Sequence, residues 1–145
     1  MSSVSRYMRK KVTTIGTEAS AAEASKTMLR EKIGYLVVTE KNKAIGMITE
    51  RDLVVKVMAR DLNPSTTRVS EFMSTPLVTT DPDKLMGEAL AVMKKNGFRR
   101  LPVVKNDVIY GVFTSKDLLE HYDELEDDLV KRLVYLAVEN PVSED

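Results

Sequence analysis

The apolar positions of this chain follow two rhythms, and the rhythms recur in the same order twice. Ala21, Ala24, Ser25, Met28 and Leu29 are spaced as one face of a helix, and Met86, Ala89, Leu90 and Met93 repeat that spacing. A short β-prone run precedes each helical stretch, VTTI from Val12 and LVTT from Leu77. A continuous apolar run follows it, YLVV from Tyr35 or LPVV from Leu101. Short polar stretches, TEKNK and KND, then signal a turn into a second strand, AIGMI or IYGVF. Helical spacing resumes after that strand, and Leu53, Val54, Val57 and Met58 are the predicted buried face of the closing helix in the first copy. The pattern predicts β-α-β-β-α twice over, an α+β fold.

The similarity of the two halves extends to residue identities. At an offset of 65 positions, Val4, Ser5 and Met8 fall on Val69, Ser70 and Met73. Glu23, Ala24 and Met28 fall on Glu88, Ala89 and Met93, and Leu36 and Val38 on Leu101 and Val103. The VTT triplets sit one residue off this register, so a single-residue insertion is undone shortly afterwards. Two divergent copies of one unit are therefore expected at residues 1–62 and 63–122, joined through the loop-like stretch ARDLNPSTTR. An extension at residues 123–145 has no counterpart in the first copy. Leu118, Tyr122, Leu125, Leu129, Leu133 and Leu136 predict one long helix there, from about Ser115 to Glu139 and ending near Pro141. Its other face carries Glu120, Asp123, Glu124, Glu126, Asp127 and Asp128, a solvated acidic surface. The leucine stripe either packs back on the module or pairs two chains, and it raises the expectation of a homodimer.

Each copy closes on a similar octet, GMITERDL from Gly46 and GVFTSKDL from Gly111. Thr-x-x-Asp before an apolar-periodic run matches a helix capping box, with Thr49 and Asp52 in one copy and Thr114 and Asp117 in the other. The same residues suit a ligand. A helix start attracts phosphate, Arg51 and Lys116 add formal positive charge, and an aspartate can accept two hydrogen bonds from a ribose diol. The glycine on the preceding strand permits close approach of another backbone. Spacing alone leaves cap and site open.

Charge and composition remove several classes. Lys and Arg total 22, as do Asp and Glu, and a net charge of zero argues against nucleic acid as the main partner. No cysteine is present, which excludes disulfides, thiolate nucleophiles and cysteine-held metals. The one histidine, His121, lies in the acidic stretch and reads as a surface residue, so no nucleophile–base pair or metal set assembles. The glycines form no phosphate loop of the G-x-x-x-x-G-K type. No run is apolar enough for a membrane span and the N-terminus has no signal-peptide core, so no membrane is expected and a cytoplasmic location is. The chain is not expected to be an enzyme or to require a cofactor.

Two β-α-β-β-α copies, each with an LPVV-like strand and a closing G-h-h-T-x-[RK]-D-L, resemble tandem CBS domains, named after cystathionine β-synthase. Such a pair is called a Bateman module, and the resemblance runs from about Val4 to Tyr122. With no catalytic domain in the sequence, a stand-alone module is expected. The resemblance implies two repeats packed with pseudo-twofold symmetry around two equivalent clefts, and a regulatory module that binds adenine nucleotides such as AMP, ADP or ATP and signals to a partner. Some members bind S-adenosylmethionine or NAD instead, and a ligand-free structural or oligomerisation module is the alternative. The resemblance also implies ribose-binding roles for Asp52 and Asp117, phosphate or ribose contacts for Thr49 and Thr114, and phosphate contacts for Arg99 and Arg100. It points to Val12, Thr13, Leu77 and Val78 for the adenine. The first copy has Gly34 and Tyr35 where the second has Arg99 and Arg100. The two sites should therefore differ in affinity, and the one with Asp117 should be the better phosphate site.

Overall fold

A computed structural model describes residues 2–124 and 128–139. The chain divides into two compact units. The first runs from Val12 to Leu77, and the second joins the N-terminal segment up to Lys11 to the chain from Val78 onward.

In the first unit, β1 (Thr14–Gly16) pairs in parallel with β2 (Tyr35–Glu40), and β2 pairs antiparallel with β3 (Lys43–Thr49). The helix before β2 spans Ala21–Glu31, and its N-cap Ser20 accepts a hydrogen bond from Glu23 N–H at 3.1 Å. The β2–β3 turn places Lys41 and Asn42 at positive φ, as a two-residue hairpin of the right twist requires. In the second unit, β4 (Arg100–Lys105) and β5 (Val108–Thr114) form the same hairpin, with Asn106 and Asp107 at positive φ. Even the register shift recurs, between Val38 and Thr39 in one unit and between Val103 and Val104 in the other. The β-prone run from Leu77 yields less than its counterpart, a single parallel bridge from Thr80 to Val103.

The units do not coincide with the sequence repeats at their leading ends. The short helix Val4–Tyr7 contributes Val4 and Tyr7 to the core of the second unit, with Leu90, Met93, Leu101 and Phe113. Its repeat equivalent, Val69–Phe72, contributes Val69 and Phe72 to the core of the first, with Met28, Leu36, Val38 and Ile48. Matching backbone hydrogen bonds hold them, Val4 N–H to Lys84 O at 2.8 Å and Val69 N–H to Ala19 O at 2.8 Å. Each copy thus lends its first turn to the body of the other.

Helical periodicity held best where no irregularity intervened. Met86, Ala89, Leu90 and Met93 are all buried on the helix Met86–Asn96. On the helix Ala21–Glu31 the buried face is narrower than expected: Ala21, Ala24 and Met28 are buried, but Ser25 and Leu29 are exposed. After β3 the chain makes one α-helical turn, Glu50–Asp52, and then widens into a π-helix, Leu53–Met58, in which Ala59 N–H bonds Val54 O. The wider turn breaks the 3.6-residue phase. Val57 is buried and Leu53 half-buried, but Val54 and Met58 face solvent, against expectation.

The expected long C-terminal helix is interrupted. One helix spans Ser115–Glu120, His121 leaves helical geometry at φ −104°, ψ 16°, and a 3₁₀ turn covers Tyr122–Glu124. A new helix runs Asp128–Glu139 and packs against the helices Met86–Asn96 and Ser115–Glu120. The break resets the helical phase, so Val130 and Val134 are buried while Leu129 is exposed. Leu125, Glu126, Asp127 and Pro141 lie outside the described residues, as does the side chain of Leu133.

Candidate functional site

Each octet forms a corner where a strand delivers its last residue to a helix. Gly46 and Gly111 allow these corners. The Met73–Ser74 segment crosses Gly46 and bonds Met47 in both directions, at 3.2 and 2.9 Å. The Met8–Arg9 segment crosses Gly111 and bonds Val112 in the same way, at 2.8 and 3.0 Å. A Cβ on Gly46 would lie 2.8 Å from the Ser74 carbonyl oxygen, and one on Gly111 2.6 Å from that of Arg9.

At the first corner the capping box is complete. Thr49 Oγ1 accepts from Asp52 N–H at 3.2 Å, and Thr49 N–H donates back to Asp52 Oδ2 at 3.0 Å. The other carboxylate oxygen, Oδ1, lies 3.2 Å from Lys56 Nζ, one helical turn on. Arg51 is exposed on the same turn. Glu50 folds over Gly34, so a Cβ there would lie 2.5 Å from Glu50 Oε1.

The second corner uses the same residue types differently. Thr114 Oγ1 accepts from Asp117 N–H at 3.0 Å, as its counterpart does, but its hydroxyl also donates to Asp117 Oδ2 at 2.6 Å. Asp117 Oδ1 lies 3.6 Å from a guanidinium nitrogen of Arg9, which reaches it from the N-terminal segment. Both aspartates and both threonines are buried. Arg100 is directly opposite Thr114 across the β4–β5 pair and so stands on the same face of the sheet. Arg99 is exposed just before the strand, and its carbonyl accepts the Ser115 N–H at 3.1 Å. Lys116 is exposed in the first turn. The helix that carries Asp117, Ser115–Glu120, has only six residues, so attraction for an anion rests on these side chains rather than on a helix dipole.

The structure therefore groups Thr49, Arg51 and Asp52 in one unit and Arg99, Arg100, Thr114, Lys116 and Asp117 in the other. The expected adenine contacts are more dispersed. Thr13 carbonyl accepts from Val37 N–H at 3.1 Å, which ties Val12 and Thr13 to the β2 side of the first sheet, with β2 lying between them and β3. Leu77 is half-buried at the end of the first unit, and Val78 is exposed at the start of the second. Sequence reading missed three participants. Lys56 was legible as the i+4 partner of Asp52. Glu50 was legible as the position where TERD carries an acid and TSKD a serine. Arg9 carried no signal, because nothing in the sequence places the N-terminal segment on the strand of the second octet.

Two hairpin-and-helix units with a buried aspartate at equivalent corners define a paired-repeat module. A CBS-domain family model matches residues 4–59 and 69–124, and the chain belongs to the CBS-domain family as a tandem pair. Modules of this kind are generally regulatory and ligand-binding, and typically non-catalytic. An uncharacterized protein of Methanopyrus kandleri is 38% identical over 81% of this chain and 61% of its own length. The chain thus spans less than two thirds of that relative. The CBS domain-containing protein YhcV of Bacillus subtilis is 33% identical over 81% of this chain and 84% of its own. Among solved structures, Hypoxic Response Protein I with two coordinated zinc ions is 29% identical, with a TM-score of 0.74 over 83% of this chain and 99% of its own. A hexameric CBS-CP12 protein from bloom-forming cyanobacteria is 28% identical, with a TM-score of 0.75 over 99% of this chain and 77% of its own. Among the described residues, no cluster of three or more His, Cys, Asp or Glu side chains suits a metal, and no helix is long and apolar enough to cross a membrane.

Proposed function

We propose that the chain is a sensor of adenosine-containing nucleotides, of the AMP, ADP or ATP class, with the Asp117 corner as its principal binding site. One observation carries this reading. Asp117 is buried and held by the Thr114 hydroxyl at one oxygen, while its second oxygen lies 3.6 Å from the Arg9 guanidinium, a loose ion pair, with cationic side chains on the flanking backbone. A carboxylate so oriented can accept a ribose diol, and Arg99, Arg100 and Lys116 supply charge for phosphate. At Asp52 the capping box by itself accounts for the residue, which favours a weaker or purely structural role there. Assembly as a homodimer and signalling to a regulated partner belong to the same proposal, and sedimentation velocity with and without nucleotide measures the first.

The direct test is a thermal-shift panel of AMP, ADP, ATP, NADH and S-adenosylmethionine. A ligand at ~100 times its dissociation constant adds about 2.7 kcal/mol of stability. No shift with any of the five at millimolar concentration overturns the proposal. A shift confined to NADH or S-adenosylmethionine keeps the sensor and replaces its ligand class.

A further inference from the structure

We infer that Arg9 is a tethered competitor for the ligand-facing oxygen of Asp117, and that it sets how tightly the second corner takes a cis-diol such as ribose. The inference rests on the nucleotide reading above and deepens it. Asp117 Oδ2 is committed to the Thr114 hydroxyl at 2.6 Å, so a diol needs Oδ1. That oxygen lies under the Arg9 guanidinium. The separation is 3.6 Å, longer than a good charge-assisted hydrogen bond, so charge rather than directed bonding holds the pair. The Arg9 side chain is 42% exposed against 12% for Asp117, so the guanidinium has water to move into and the carboxylate does not.

The main chain of Arg9 stays fixed while its side chain moves. Its N–H and carbonyl are both bonded to Val112, and the missing Cβ of Gly111 is what lets them approach. Displacement therefore needs only a rotation about the side-chain bonds. The repeat supplies a control. The residue equivalent to Arg9 in the first unit is Ser74, which makes the same two backbone bonds to Met47. Serine is too short to reach the carboxylate, and there Lys56 covers Asp52 Oδ1 from a different element. Each unit thus covers the same oxygen with a cation drawn from an unrelated position.

The experiment titrates adenosine, which carries no phosphate to attract Arg9, by calorimetry into the full chain and its Arg9→Ala variant. Both carry Asp52→Asn so that the second corner reports alone. Removing the competitor is expected to tighten adenosine binding about threefold to fivefold, the worth of an exposed ion pair. Raising salt is expected to tighten binding to the chain with Arg9, by screening the pair, and to leave Arg9→Ala unmoved. Arg9→Gln repeats the test should the alanine variant lose its fold. Binding that appears only in the Arg9 variants supports the inference most strongly. Unchanged or weaker adenosine affinity in them, with the Arg9 chain binding normally, overturns it and leaves the nucleotide reading standing. Absence of adenosine binding in every variant, together with a flat nucleotide panel, overturns that reading and this inference with it.

Discussion

The Asp52 and Asp117 corners differ in how their threonine is used and in the charge around them. Thr49 lends its backbone N–H to the aspartate and accepts the Asp52 N–H with its hydroxyl oxygen, which is what a helix cap needs. Thr114 turns its hydroxyl proton onto the carboxylate. Around Asp52, an acid, Glu50, fills the space over Gly34. Around Asp117 the equivalent positions are Ser115 and Arg99, with Arg100 and Arg9 added. One motif duplicated within one chain thus yields a complete capping box beside a single close lysine in one unit, and a threonine-held carboxylate flanked by several cations in the other. The motif letters alone do not distinguish these outcomes, and their immediate neighbours do.

The strongest way to break this comparison is to remove each aspartate. Asp117→Ala should abolish most of the nucleotide-induced stabilisation, up to about 2.7 kcal/mol at ~100 times the dissociation constant. Asp52→Ala should lower unliganded stability by ~1 kcal/mol and retain most of the ligand response. Equal loss of response in both variants, read by thermal shift, ends the claim of asymmetry. Next in size is the glycine pair. Gly111→Ala should cost ~1–3 kcal/mol in urea denaturation, with Gly46→Ala toward the lower end because its new methyl meets a carbonyl at 2.8 rather than 2.6 Å. The reverse order contradicts the distances.

Thr114→Ala and Thr49→Ala probe the cap. Each should cost ~1 kcal/mol, with Thr114→Ala the larger because it also strips a buried carboxylate of its hydroxyl donor. Thr114→Ser should restore stability, whereas no rescue would show that packing of the methyl matters more than the proton. The smallest effect is a conversion. Gly34→Arg with Glu50→Ser gives the first corner the residues that stand at Arg99 and Ser115 in the second. It should strengthen AMP over adenosine there by up to ~1 kcal/mol per charge, as read by calorimetry in an Asp117→Asn background. No change in the AMP-to-adenosine ratio separates charge from the difference between the corners.

Much of the fold was legible because local and long-range signals agreed. The hairpins followed from apolar runs flanking Lys41–Asn42 and Asn106–Asp107, and the helix at Met86 followed from its spacing. Failures occurred where a backbone irregularity changed the phase. The π-helix moved Val54 and Met58 outward, and the break at His121 exchanged Leu129 for Val130 and Val134 as the buried face. Side-chain spacing cannot report such a break, because one residue of slip turns a helical face by about 100°. At the candidate site, the motif made the capping box at Thr49 and Asp52 readable, but not the hydroxyl of Thr114 donating to Asp117. The cations over Oδ1 were partly so: Lys56 through its spacing, Arg9 not at all, because its contact with Asp117 is a tertiary one.

The exchanged leading turns bear on the order in which the protein can be built. A chain made from its N-terminus emits Val4 and Tyr7 well before the residues that bury them, from Leu90 to Phe113. The first unit has no such wait, since everything from Val12 to Leu77 is contiguous. During synthesis the Val4–Tyr7 segment thus waits for its partners after every residue of the first unit has been made. It is locked down only when the second hairpin arrives, and the same event delivers Arg9 to Asp117. A truncation that spares every residue of the second repeat but trims the first eleven would remove two core side chains and that guanidinium in one cut.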